Sequence, residues 1–401
     1  MKRWGPYLLI GALCAWLASR VAGTGDWDAD AGPAIEALAA GDVGHYLSWA
    51  SLVGPFASLV QAPFVALSGG SGTVAYQWAV FPCLFGAGLC GLSLGRIAAR
   101  RGAPPLTQVL LPLLFLLNPI TFEALETGHP EEILTAALAI AAIATAAEGH
   151  TRRTALLLGL AIASKQWAVI AILPALMVLP SQRIKVGLGA VAVAAALFAP
   201  SVVASPSSFL DVQRAASGTP GAATPWSAWY PLASEKTEVY SVGGEQLEAQ
   251  VVDAPSLATS FSHSLIVLLA LVLPLAVAWR RGLPLAPSDA FALLALIGLL
   301  RCALDPADNL YYHAPLLLAM FGWDAFSSRG LPLRSLLGVG IALLFWQAWH
   351  DISDPVAFNA VYLGFASVLG IALASSLFAR IDWTGVPASA VFAGRNPNFR
   401  D

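Results

Sequence analysis

The chain has 401 residues, only 11% of them Asp, Glu, Lys or Arg, with a mean hydropathy of +0.71 and a formal net charge of −3. Soluble domains carry roughly 25% of those four residue types, so this chain lacks the charge to cover a water-facing surface of its size. No basic stripe marks a nucleic-acid partner, and the short apolar–polar alternation of a membrane β-barrel is missing.

In lipid the backbone polar groups must then be satisfied within helices. The expected fold is all-α, a polytopic transmembrane helical bundle of about 12 membrane segments, each needing about 20 mostly apolar residues. Apolar runs fall near residues 4–22, 74–95, 104–118, 131–148, 154–164, 166–180, 184–204, 261–279, 286–303, 310–327, 332–349 and 356–379. Residues 1–401 are read as a single integral membrane domain. The first run follows Lys2 and Arg3 and has the outline of a signal peptide, but retaining it as a span suits the placement of basic residues along the rest of the chain.

Residues 23–73 form the first expected outer loop. Asp26, Asp28 and Asp30 crowd one another at alternate positions. Crowding raises some carboxylate pKa values and fits one of them for general-base work. A solvated acidic turn, or a hold on a divalent cation, would use the same residues. Pro33 to Ala40 is amphipathic, and Pro55 to Leu67 is apolar but too short to span. Both are expected as juxtamembrane helices.

A second polar group runs from Asn118-Pro119 through Glu123 and Glu126 to Gly128-His129-Pro130-Glu131-Glu132. Glu131 and Glu132 suit the first turn of the next helix, where its dipole favours negative charge. His129 has no second His at metal-ligand spacing.

Residues 154–180 read either as one span or as two short helices meeting at Lys165. Basic residues gather on the cytoplasmic side of membrane proteins. With a hairpin, every Lys and Arg except Arg20, Lys165, Arg214, Lys236 and Arg301 falls inside; with one span, the later clusters flip outward. The hairpin is therefore expected, with Lys165 at its outer tip or part-way into the bilayer. There a cation is costly unless it is paired, lipid-bound or functional, or snorkels to the headgroups.

The long outer loop 205–258 is rich in Ser, Pro, Gly and Ala and carries Trp226, Trp229 and Tyr230. No soluble domain is expected in it. Arg301, Asp305, Asp308, Asn309, Tyr311, Tyr312 and His313 then crowd one short outer loop. An interfacial aromatic belt with an Arg–Asp pair explains the tyrosines but explains the His less well. Residues 381–401 are expected as a cytoplasmic tail. Cys14, Cys83, Cys90 and Cys302 all lie in apolar runs and read as small buried hydrophobes. No Gly-rich phosphate loop precedes a helix.

With these residues in view, the chain resembles the GT-C superfamily of membrane glycosyltransferases, and most closely the family-87 group with its polyprenyl-phosphate-mannose-dependent mannosyltransferases. The resemblance rests on the acidic loop Asp26 to Asp30 followed by Ala37-Leu38-Ala39-Ala40-Gly41-Asp42, on Asn118-Pro119 and Gly128-His129-Pro130-Glu131, on Leu158-Gly159-Leu160-Ala161 leading to Lys165, and on Asp305 to Pro315. It implies an inverting transfer of a sugar, mannose first, from a polyprenyl-phosphate donor to a lipid-linked or glycan acceptor. The reaction would take place at the outer face of the cytoplasmic membrane, with both termini cytoplasmic. A first-loop acid would deprotonate the acceptor, Asp28 before Asp26 and Asp30. Lys165, Arg301 and His313 would supply positive charge near the departing phosphate, or His313 would position a substrate. His129, Glu126, Asp305, Asn309, Tyr312, Trp226 and Trp229 are the expected substrate contacts. No cofactor and no metal are expected. The partners are the donor, the acceptor and membrane lipids, and the oligomeric state is open. The alternative reading is a transporter or flippase, which would place ionisable residues near the midplane of two matching halves; here Lys165 is the clear mid-segment charge and the halves do not correspond.

Overall fold

Many of the helices open with Pro (Pro55, Pro105, Pro119, Pro130, Pro287 and Pro355), whose missing N–H costs nothing in a first turn, and Asp42, Asn118 and Asp354 accept from first-turn amides. The computed structural model describes residues 4–379 except 50, 52, 218–220, 243–244 and 328, with the backbone alone over 213–217, 238–242 and 245–250. The expected tail at 381–401 lies outside the described residues.

Helix α1 (Gly5–Ser19) leads into four short helices: α2 (Trp27–Asp30), α3 (Gly32–Ala39), α4 (Val43–Ser48) and α5 (Pro55–Ser68). Then follow α6 (Thr73–Arg100), α7 (Pro105–Leu116), α8 (Pro119–Glu126), α9 (Pro130–Ala147) and α10 (Thr151–Ser164). A 3-10 turn (Gln166–Ala171) runs into α11 (Ile172–Val178), followed by α12 (Arg183–Ala204) and α13 (Pro206–Ser217). Strands β1 (Ser234–Val242) and β2 (Glu245–Asp253) precede α14 (Ser256–Arg281) and α15 (Pro287–Leu304). After a short 3-10 turn at Tyr230–Leu232 before the hairpin, a further one (Leu310–His313), α16 (Ala314–Ser327), α17 (Leu333–His350) and α18 (Pro355–Phe378) complete the bundle.

Every predicted apolar run holds a helix. Among the described residues, seven segments are long and apolar enough to cross a bilayer: α6, α7 with α8, α9, α12, α14, α15 and α18. Crossing by length is thus met by fewer segments than the about 12 expected; α1 and α11 with its 3-10 turn are among the shorter apolar ones.

The hairpin at Lys165 is present. The amide of Leu285, in the α14–α15 turn, donates to Met177 O (2.8 Å), so α11 returns to the end from which α10 set out. At 1.5 Å per residue, the 14 residues of α10 reach about 21 Å, short of a ~30 Å hydrocarbon core. Lys165 is therefore recessed relative to the longest helices.

Charge separates the two ends. At one end Arg100 pairs with Glu148, Arg334 Nη1 meets Asp324 Oδ1 at 2.9 Å, and Arg281 donates to Ser376 O and Leu377 O. At the other, the site end, lie α2, the α8–α9 turn, Lys165 and the 305–313 loop. Between them α9 is almost wholly buried, and its Ala136, Ala137, Ala139 and Ala142 leave room for its neighbours. Small residues bring membrane helices close in this way: Gly159 of α10 lies so near Ala190 O and Val193 of α12 that a Cβ there would clash. Outward faces of α12, α14 and α18 carry exposed Ile184, Val203, Leu275 and Ile371.

The all-α expectation needs one correction. In the long loop, β1 and β2 pair antiparallel, Ser234 opposite Asp253. The sequence carried the signal: two runs with β-branched residues flank Gly243-Gly244, a hairpin pattern. The segment before this hairpin is fastened to the bundle. Thr224 Oγ1 donates to Asp308 O (2.7 Å), Trp229 Nε1 to Leu304 O (2.7 Å), and Asn359 Nδ2 to Pro225 O and Ser227 O.

Candidate active site

The site begins with backbone contacts. Gly25 has φ +53 and Gly128 φ +92, a region open to glycine at little cost. A Cβ on Gly25 would stand 2.3 Å from Thr127 C, and one on Gly128 2.5 Å from Thr24 O and Trp27 N. The two loops therefore touch main chain to main chain, fixed by Asp26 N donating to Thr127 O at 2.9 Å. Buried Trp27 packs on Tyr76, whose hydroxyl donates to Leu125 O (2.8 Å). Downstream, Gly54 N donates to Ser164 O (2.9 Å) beside Lys165. The first loop is thus clamped against both the α8–α9 turn and the hairpin apex.

Asn118 explains the break between α7 and α8. Its Oδ1 accepts from Thr121 N (3.0 Å) as an N-cap, while its Nδ2 donates to Leu114 O and Phe115 O (both 3.1 Å). The next turn ends at Pro130, so Glu131 and Glu132 open α9 at the dipole end that favours them.

Both carboxylates point at Lys165. Its Nζ lies 3.1 Å from Glu131 Oε1 and 3.4 Å from Glu132 Oε1. Trp167 Nε1 donates to Glu132 Oε2 (2.6 Å). His129 bridges to the first loop, with Nδ1 3.3 Å from Glu131 Oε1 and Nε2 3.4 Å from Asp26 Oδ2. A carboxylate at each ring nitrogen calls for a proton on both. Burial works against that charge, but the hydrogen bond and charge of Glu131 outweigh it and raise the His129 pKa above its ordinary value. On the far side, the Arg301 guanidinium lies between the rings of Trp167 (5.3 Å) and Tyr312 (4.5 Å) and donates to Tyr312 O (3.2 Å). Asp26, His129, Glu131, Lys165, Glu132, Trp167, Arg301 and Tyr312 thus form one chain of contacts.

The model of glycosyltransferase family 87 matches residues 52–306, more than half of the chain. The chain belongs to glycosyltransferase family 87. It is a glycosyltransferase with several apolar helices suited to a membrane. No curated protein matches it. The matched stretch of this family-87 glycosyltransferase takes in Glu131, Glu132, Lys165 and Arg301. It begins after the Asp26–Asp30 turn and ends before Asp308 and His313.

The three first-loop carboxylates differ in this family-87 chain because the segment is helical. In one turn, positions i and i+4 share a face and i+2 does not. Asp26 and Asp30 therefore lie on one side of α2. Asp28 lies on the other, exposed, its Oδ2 accepting from Thr24 Oγ1 (2.6 Å). Asp30 is half-buried; burial raises its pKa, against the opposing charges of His129 and Lys165.

Other expected residues stand apart from the network. His313 follows Tyr312 in a 3-10 turn, where neighbours point about 120° apart. Its Nδ1 faces the carbonyls of Leu310 (3.1 Å) and Asn309 (3.3 Å), both acceptors, so the proton belongs there. Its Nε2 lies 2.9 Å from Tyr362 Oη. Burial lowers its pKa to about 4, so at neutral pH His313 is uncharged and offers a phosphate no cation. Asp305 meets His263 (3.5 Å) and accepts from Ala307 N. Trp226 is 1% exposed and packed among Phe345, Trp349, Phe358 and Tyr362, an enclosure suited to holding the fold together. Trp229 is partly exposed. Glu126 is exposed and stands 3.9 Å from His350.

Sequence reasoning gave Glu131 and Glu132 only a helix-start role, assigned no partner to Trp167 or His263, and overlooked Tyr362. The ion partners were within reach of the topology: if α9 starts and α10 ends at the same membrane face, the first-turn glutamates and Lys165 become neighbours.

Proposed function

We propose that this chain moves a sugar, mannose first, from a polyprenyl-phosphate donor to a lipid-linked or glycan acceptor at the outer face of the cytoplasmic membrane, with inversion. The observation that carries the reading is the link Asp26–His129–Glu131–Lys165, which sets the acidic turn of the first loop beside a recessed cation. A carboxylate and a cation are the two groups such a transfer needs. Asp30 takes the proton of the acceptor hydroxyl. The hydroxyl oxygen then attacks the anomeric carbon from the face opposite the phosphate, and the C–O bond to phosphate breaks with its electron pair on the phosphate oxygen. Lys165 and Arg301 stabilise that negative charge. Asp30 is preferred to Asp28 because it shares the network face of α2 and burial strengthens its basicity. A small cavity of about 50 Å³ beside Lys165, with Tyr46, Trp49 and Phe209 in its wall, offers room near the cation.

The test is transfer of labelled mannose from polyprenyl-phosphate mannose into glycolipid by protein reconstituted in vesicles with an envelope lipid extract. Wild type should transfer label, and Asp30→Asn should lose about 100-fold to 10,000-fold, as removal of a general base does. Asp28→Asn should stay within a few-fold. Loss in Asp28→Asn with Asp30→Asn active would reverse the assignment. Transfer from an arabinofuranose or glucose donor instead would keep the polyprenyl donor and replace the sugar.

A further inference from the structure

The 302–313 segment holds a second group of polar side chains, separate from the Lys165 network. Cys302, Asp308 and His313 are all buried, and one ligand atom of each lies within 4.8 Å of the others. Asp308 is wholly buried, yet neither carboxylate oxygen has a hydrogen-bond partner of good geometry, although the Cys302 thiol and the Asn309 amide lie close by. An ionised carboxylate so placed costs several kcal/mol unless a cation meets it. His313 donates from Nδ1 to carbonyls, which leaves the Nε2 lone pair facing the cluster, 3.7 Å from Asp308 Oδ2. A ring nitrogen fixed in this way by its other N–H is the usual arrangement of a ligating histidine.

We propose that Cys302, Asp308 and His313 bind one divalent transition-metal ion, zinc by the chemistry of the donors. A thiolate, a carboxylate and an imidazole form the mixed S, O and N set that zinc takes. Ligand atoms about 2.0–2.3 Å from a tetrahedral ion stand about 3.3–3.7 Å apart, close to the separation of Nε2 and Oδ2. On binding, the Cys302 thiol gives up its proton to solvent. Thiolate, carboxylate and a dication then sum to zero, which suits a buried site, and the second Asp308 oxygen, likewise without a partner, can take the fourth tetrahedral position. Nε2 turns from the Tyr362 hydroxyl to the ion. The ion staples the end of α15 to the 3-10 turn that carries Tyr312, and so holds the ring that faces Arg301. Among the described residues no other cysteine belongs to such a cluster.

The full chain, purified in detergent without chelator, incubated with zinc and desalted, should retain about one zinc per chain by elemental analysis. The double variant Cys302→Ser, Asp308→Asn should retain none. Zinc held equally by both proteins means adventitious surface binding and overturns the proposal, as does wild type that holds no zinc. Cobalt provides a readout that needs no variant: wild type titrated with Co²⁺ should gain a thiolate-to-cobalt charge-transfer band, and its absence overturns the assignment of Cys302.

Discussion

Glu131 Oε1 stands 3.1 Å from Lys165 Nζ and 3.3 Å from His129 Nδ1, in a side chain wholly closed to solvent. One oxygen thus joins the hairpin apex to the turn that grips the first loop.

Breaking the Glu131–Lys165 pair from one side leaves a buried charge without its partner, which costs about 3–5 kcal/mol. Lys165→Met should be the worse single change, because it strands Glu131 and Glu132 together. The double variant Lys165→Met, Glu131→Gln should be less destabilised than the two singles summed. Thermal unfolding of the four proteins in one detergent measures this, and strict additivity would mean that the contact carries no energy.

Gly25→Ala and Gly128→Ala should separate the loops without dissolving the bundle. Each places a Cβ against main chain that cannot yield and adds about 1–2 kcal/mol for a left-handed alanine. Sugar transfer should fall by 10-fold or more on the ~1.4 kcal/mol per decade scale, while helicity by circular dichroism stays near wild type. Full activity in Gly25→Ala would mean that the first loop is not held for catalysis.

The raised His129 pKa sets the sign of a pH effect. The folded state binds the imidazolium proton more tightly than an ordinary histidine of pKa about 6.5. The stability it contributes is complete below that value and is lost as pH rises through the higher folded pKa. Wild type should exceed His129→Gln in melting temperature by most at mildly acid pH, with the gap closing toward alkaline pH. A gap that widens with pH would refute the charged state.

Trp226→Ala should act on folding before it acts on substrate. Emptying an aromatic enclosure of this kind costs about 3–5 kcal/mol. A lower melting temperature with an unchanged KM in the surviving enzyme is expected. A raised KM at unchanged stability would restore a sugar-stacking role.

Helix positions, the hairpin at Lys165 and the gathering of basic residues at one end were legible in the sequence, because apolar run length and charge placement are local quantities that lipid enforces. Pro130, followed by Glu131 and Glu132, likewise marked a helix start, whereas the stretch from Pro119 to Pro130 read as a loop and holds the helix that Asn118 caps. The division of labour among Asp26, Asp28 and Asp30 was not legible: alternate spacing suggested crowding, and one helical turn turned Asp28 away. The partners of Lys165 lie more than thirty residues upstream, and those of Arg301 include Trp167. Only packing brings such groups within hydrogen-bond reach, because contact across a bundle depends on helix rotation and depth as well as on sequence. The sequence by itself determined a helical membrane chain with polar loops at one end. The tertiary structure decided which of those loops touch, through two glycines that let main chain meet main chain and a buried carboxylate that had to find its cation.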